Sequence, residues 1–218
     1  MLTIYGVYRS RAIRPLWVLE ECKAPFTHIP VIQAYRLTNA TAATAPLNTA
    51  TPAYLAINPL GQIPAMRDGA LLLTESLAIC LHIARKYGGP LGPASDDEAA
   101  LMEQWALFAA TAIEPAALDI LYTTRDGQSD TPSGAGIIHL AAEKLTRPLS
   151  RLEAHLATND WLMARFTVAD IMVAECLRYG QSHRPLLKSF PHTARWIEAT
   201  QARPAFQTVW AQRAAEPE

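Results

Sequence analysis

The run Gly88-Gly89-Pro90-Leu91-Gly92-Pro93 stops any regular element that reaches it. Proline removes a backbone donor, and glycine carries freedom that a helix or strand has to give up. The run divides the 218 residues into two stretches of different texture, each long enough for a small core of its own. Before it, short β-prone runs alternate with helical spacing; after Pro93 the spacing is helical throughout. Domains are therefore expected over 1–88 and 95–218.

In the first stretch, Leu2-Thr3-Ile4-Tyr5 is apolar and β-prone and ends at Gly6, which predicts a strand. From Ala12 to Cys22, Ile13, Leu16, Trp17 and Leu19 recur at helical spacing, and Pro15 is tolerated in the first turn. Phe26 to Val31 alternates as a second strand. A crossover of that length makes the two strands parallel. Ala40 to Pro52, rich in Thr, Ala and Pro without a period, is expected to run irregularly over the surface. Ile63–Met66 and Leu71–Leu73 flank a turn at Asp68-Gly69, and a helix begins near Glu75 and closes at Gly88. The order predicted is βαβ, then ββα.

Beyond Pro93, Ser95-Asp96-Asp97-Glu98 supplies an N-cap and an acidic first turn to a pattern that continues to about Leu121. Further helices are expected over about 137–157, 168–179 and 192–201 and near the C-terminus. Phe166-Thr167-Val168-Ala169-Asp170-Ile171 places Thr167 as N-cap, Asp170 at N3 and Phe166 and Ile171 as a hydrophobic staple. Its role is structural, and the apolar run behind it reads as a central buried helix.

With 19 Lys and Arg against 20 Asp and Glu, the chain lacks the basic excess that holds nucleic acid. Leu37 to Met66 has no charged side chain over the length of a membrane span, but its Thr, Asn and Pro make it a loop. Neither nucleic acid nor membrane is an expected partner. Cys22, Cys80 and Cys176 are odd in number and widely spaced, which points to a reducing, cytoplasmic setting. Each falls in an apolar helical pattern and is expected to be buried. The opening MLTIYGVYRSR shows no signal peptide, and the six histidines lack a ligand spacing, so no metal site is expected.

Three segments carry candidate chemistry. Tyr8-Arg9-Ser10-Arg11 lies between the first strand and helix, where a βαβ unit binds ligands. Ser10 reads either as an N-cap or as a hydroxyl that holds an anion. Asn58-Pro59-Leu60-Gly61-Gln62-Ile63-Pro64 ends in an X-Pro bond just ahead of a strand. It is either a plain turn or a cis bond that aims the Ile63 backbone at an extended peptide. Thr74-Glu75-Ser76 opens a helix; it is an ordinary helix start, or a site whose hydroxyl and amides meet a carboxylate while Glu75 meets an ammonium group.

The ordered set YRSRAIRPLWVLEE, then NPLGQIPAMRDGALLLTESLAICLHIARKYGG, then a helical domain with FTVADI, resembles the cytosolic glutathione transferases. It is most similar to bacterial members with an SRAxRxLW first helix, and the resemblance covers nearly the whole chain. It implies an α/β thioredoxin-like N-terminal domain (βαβ-ββα) that holds glutathione, and an all-α C-terminal helical domain that supplies most of a second-substrate pocket. It also implies a homodimer and a detoxification role.

Carried over by position, the resemblance assigns Ile63 and Gln62 to the cysteinyl part of glutathione and Glu75 and Ser76 to its γ-glutamyl end. Ser10 would face the sulfur, with Tyr8, Tyr5 or backbone groups as alternatives. Tyr8, Trp105, Phe108 and Ala109 are candidates for the second pocket, with plain core packing as the alternative. Thiol-disulfide exchange would need a cysteine where Ser10 stands, so transfer of the glutathione thiolate to a partly apolar electrophile is the expected reaction. A binding or assembly module without turnover, or a glutathione-dependent isomerase, peroxidase or dehalogenase, are the other readings.

Overall fold

Leu2 and Ile4 are buried while Thr3 and Tyr5 are only partly covered, the alternation of an inner strand with one face on the core. A computed structural model describes residues 1–217 and places this strand, β1 (Leu2–Tyr5), inside a four-stranded sheet of order β2-β1-β3-β4. It pairs parallel with β2 (Thr27–Ile29) and antiparallel with β3 (Ala65–Asp68), which continues antiparallel into β4 (Leu71–Leu73). The expected βαβ and hairpin are both present. The irregular stretch leads into one short helix, α2 (Pro52–Leu55), and is pinned to the rest by an Ile32–Asn48 bridge.

Helix α1 (Ile13–Cys22) buries every residue from Ile13 to Leu19, more than one face. It does so because two helices flank it: α3 (Ser76–Tyr87), and the last helix of the chain, α9 (Pro204–Ala215). Phe206 of α9 meets Trp17 edge-on at 4.9 Å, and Ala205 and Val209 are buried beside it.

The chain divides into two units, one running to Gly92 and resuming at Pro204, the other covering Pro93–Arg203. The glycine-proline run lies at the first change of unit, and α9 belongs with the first unit because its apolar face finds its cover on α1.

In the second unit the single helix expected from Ser95 to about Leu121 is α4 (Asp96–Phe108), a π-turn over Ala109–Ile113 and α5 (Glu114–Arg125). Pro115 has no N–H to donate to the preceding turn, and the ladder slips by one residue ahead of it. Ser95 caps α4 by accepting from Glu98 N–H at 3.1 Å, and Arg165 grips the Glu98 carboxylate with two bonds of 2.8 and 2.9 Å. Helix α6 (Pro132–Leu156) starts ahead of the expected position, at a proline that Thr131 caps.

Helix α7 (Val168–Leu177) is buried at every position, as its composition implies. Thr167 and Asp170 form its capping box. Asp170 also accepts from Leu162 N–H and Trp196 Nε1–H, both at 2.9 Å. The first amides of α8 (Pro191–Gln201) are capped from α6, with Glu153 accepting from His192 and Thr193. Cys80 and Cys176 are buried as expected; Cys22, at the end of α1, keeps partial exposure and corrects that expectation.

Candidate functional site

Gly6 leaves β1 with φ of +142°, and a Cβ there would lie 2.7 Å from the Cβ of Ala12 and 3.4 Å from that of Ile63. Only glycine lets the strand turn so close to both. The loop that follows carries Ser10, and its start rests against Ile63-Pro64. The Ser10 hydroxyl donates to Val7 C=O at 2.6 Å and accepts from Ala12 N–H at 3.0 Å. It is therefore the pin of a turn one step ahead of the helix; the N-cap of α1 is Ala12. To donate to a ligand, the hydroxyl proton has to leave the Val7 carbonyl.

The second segment is built around the carbonyl of Gln62. The buried Tyr54 hydroxyl donates to it at 2.6 Å and the buried Asn58 amide at 2.7 Å. Burial pushes the Tyr54 phenol up to about 12, so it remains a donor. Gly61 holds φ of +59°, and a Cβ there would meet Thr49 C=O at 2.8 Å. The Ile63-Pro64 bond is cis. Among the described residues, Ile63 N–H and C=O make no hydrogen bond, which leaves one donor and one acceptor for an extended peptide. The Gln62 side chain is exposed.

The third segment opens α3. Its N-cap, Glu75, makes no capping bond with its side chain and is exposed, so the first amides of a twelve-residue helix have no side-chain acceptor. That is the geometry that attracts a carboxylate. Ser76 is buried, and its hydroxyl accepts from Nη1 of Arg14 at 3.1 Å. Arg14, 1% exposed, ties α1 to the start of α3. Gly6 against Ile63 and Arg14 against Ser76 thus join the three segments into one side of the first unit.

Sequence reasoning gave no role to Arg14, Tyr54 or Asn58. The signal for Arg14 is a charge inside a helix that is otherwise apolar all round; Tyr54 and Asn58 act through one distant carbonyl and leave no periodic trace.

Tyr8 is half-buried and meets His28 edge-on at 5.2 Å, while His28 donates Nε2–H to Gly6 C=O at 2.8 Å. Burial, then the charges of Glu216 and Glu20, holds the Tyr8 phenol above the ordinary tyrosine range, so it can donate a proton but not act as a base at neutral pH. In the second unit, Trp105 packs edge-on against Phe108 and His155, both at 5.5 Å, with the Arg151 guanidinium 5.0 Å from its ring centre. Trp105 and Ala109 are buried by helix packing, and Phe108 keeps partial exposure. A shallow cleft of about 320 Å³ beside α6, lined by His139, Glu143, His183 and Phe190 among others, shares no residue with these segments.

The family described as "Glutathione S-transferase, N-terminal domain" matches residues 9–86, and "Glutathione S-transferase, C-terminal domain" matches 138–204. Glutathione S-transferase 3 of Zea mays is 39% identical over 165 residues, 72% of this chain and 73% of that protein. The crystal structure of poplar glutathione transferase F1 superposes with a TM-score of 0.81 at 26% identity, covering 99% of each chain. The theta class glutathione S-transferase of Xanthomonas axonopodis pv. citri, with glutathione bound, gives 0.71 at 28% identity over 95% of each. Similarity to plant enzymes does not support the bacterial subclass suggested by the SRAxRxLW helix. Ser10, Arg14 and Trp17 of that motif serve a turn, a cross-helix bridge and a core, and none of these tasks marks a lineage.

Proposed function

The chain belongs to the glutathione S-transferase family and is a glutathione transferase, and from that premise we propose which of its residues do the work. The unpaired amide and carbonyl of Ile63, beside Gln62, hold the cysteinyl backbone of glutathione. The open start of α3, with the Ser76 hydroxyl, takes the γ-glutamyl carboxylate, and the Glu75 side chain takes its ammonium group. The observation that carries this is the uncapped start of α3 with Ser76 fixed by Arg14.

Chemistry then rests on the thiol. A free thiol with a pKa near ~8.5 is mostly protonated at neutral pH, and only the thiolate attacks. A drop of about two pH units needs about 2.7 kcal/mol of preference for the anion. The Ser10 hydroxyl, swung from Val7 C=O onto the sulfur, and the positive end of α1 are the groups that supply it. The thiolate attacks an electrophilic carbon of a partly apolar compound, forms the C–S bond and expels the leaving group with its electron pair.

The reading includes a reducing cytoplasmic setting and a homodimer. Three cysteines without a disulfide support the first; exposed Leu101 and Leu107 on α4 and Ile137 and Leu140 on α6 support the second. The test is calorimetric titration with glutathione, then conjugation of a generic aromatic halide, then the thiolate absorbance of bound glutathione against pH. Binding with a depressed thiol pKa in the native protein, raised again in Ser10→Ala, supports the assignment. An unchanged pKa in Ser10→Ala removes Ser10 from the role, and no binding at all overturns the reading.

A further inference from the structure

The end of the chain returns to the loop that carries Ser10. Just past α9, the Glu216 carboxylate takes two consecutive backbone donors of that loop: Tyr8 N–H on Oε1 at 2.7 Å and Arg9 N–H on Oε2 at 2.8 Å. Arg213 adds a reciprocal pair. Its Nη1 donates to Tyr8 C=O, and its own carbonyl accepts from Arg9 Nε, both at 3.2 Å. From the segment after β2, Gln33 donates to Arg9 C=O at 3.2 Å, and Arg36 donates to Pro217 C=O at 2.7 Å. The Tyr8 and Arg9 peptides are thereby gripped by groups from both ends of the sequence.

Ser10 follows Arg9 directly, and its hydroxyl is set by Val7 and Ala12 within the same turn. Whatever fixes the Tyr8 and Arg9 peptides fixes the platform from which that hydroxyl reaches a ligand. Helix α9 does not need Glu216 to stay in place, because Ala205, Phe206 and Val209 already bury it. The carboxylate is also the one side-chain end that suits two parallel donors: an amide would turn its own NH₂ toward one of them.

We propose that Glu216 is a positioning residue for glutathione activation, its ionised carboxylate locking the Tyr8-Arg9 peptides so that Ser10 is held in one orientation toward the sulfur. The proposal rests on the function proposed above. The titratable group beside the Glu216 carboxylate is the Tyr8 phenol, while Arg9, Arg213 and Arg36 bond to the backbone carbonyls of Arg213, Tyr8 and Pro217 around it.

The test compares Glu216→Ala, Glu216→Gln and Glu216→Asp with the native protein, measuring glutathione binding by calorimetry, kcat and KM, the pH dependence of the bound thiolate absorbance, and Tm. In Glu216→Ala and Glu216→Gln, kcat at neutral pH is expected to fall about tenfold and the bound thiol pKa to rise by about one pH unit. The glutathione KM should stay within about twofold, and kcat should recover at alkaline pH. Glu216→Asp, which keeps the charge, should regain part of the loss. An unchanged kcat and thiol pKa overturns the proposal, as does a lower Tm with an unaltered pH profile, which would make Glu216 a latch for the tail alone. Failure of the native protein to bind glutathione is a separate result and removes the function from which the proposal starts.

Discussion

Arg14 donates through Nη1 to the Ser76 hydroxyl at 3.1 Å, and both side chains are buried. A guanidinium has donors and no acceptor, so Ser76 can only accept from it, and the hydroxyl proton is left to point elsewhere. The buried arginine thus decides which way the serine can donate.

Replacing either partner should therefore cost the same ligand contact. Arg14→Lys and Ser76→Ala are each expected to raise the glutathione KM about tenfold with kcat within about twofold, and the double variant should be little worse than either single one. A coupling of about 1 kcal/mol in that cycle is the expected result. Additive losses would show that the two residues act apart.

Ser10→Cys changes the chemistry as well as its rate. A thiol at the mouth of α1 sits near the positive end of a helix, which lowers its pKa and makes it a nucleophile. The variant should lose most conjugation and gain glutathione-dependent reduction of a small disulfide, measured by a coupled assay of oxidised glutathione.

Acid stability should depend on Asp68. Its carboxylate accepts from Lys86 at 2.7 Å, His82 at 2.8 Å and the Tyr87 hydroxyl at 2.9 Å. The Lys86 bond first, then the His82 bond, hold it well below the ordinary carboxylate range. A depressed folded pKa stabilises fully above the unfolded value near 3.8 and is lost as the pH falls below it. Asp68→Asn should lower Tm at neutral pH by several degrees and flatten the fall of Tm between about pH 4 and pH 2. A slope unchanged by the substitution would assign the acid sensitivity to other groups.

Asp170 runs the other way. Burial pushes its carboxyl up to about 6 despite hydrogen bonds from Leu162, Trp196 and Thr167. A raised folded pKa gives a contribution that is full below the unfolded value and lost as the pH rises through about 6. Stability attributable to Asp170 should therefore fall between about pH 4 and pH 6. Asp170→Asn turns an NH₂ toward a backbone N–H or the Trp196 ring N–H. It should cost about 2–4 kcal/mol in chemical denaturation while leaving the glutathione KM of the folded fraction unchanged.

What the sequence shows and what it hides follow from how local each cause is. The strands, the hairpin at Gly69 and the break after Gly88 rest on periodicity and on residues with unusual backbone freedom, all visible within a few positions. The Thr167–Asp170 box is equally local. Pro115 is plain in the sequence, but the same proline fits a kink, a stop or a π-turn, and only the packed neighbours select one.

The candidate site divides in the same way. Ile63, Glu75 and Ser76 stand at element ends and are legible there. Ser10 is legible as a helix-start hydroxyl, yet its partners, Val7 and Ala12, make it a turn pin instead of a cap. Trp105 is legible as an aromatic on a long helix, but its neighbours Arg151 and His155 come from α6 and leave no local trace. Glu216 reaches Tyr8 across 208 positions, a separation at which no spacing rule operates.

The placement of α9 bears on how the protein comes into being. The α1 surface around Trp17 is covered by Phe206, so a ribosome delivers the first ninety or so residues long before the helix that seals them. During synthesis that unit waits, with an aromatic seam open to solvent and to chaperones, until α9 emerges. An N-terminal fragment cut at the glycine-proline break would be left permanently in this unsealed state.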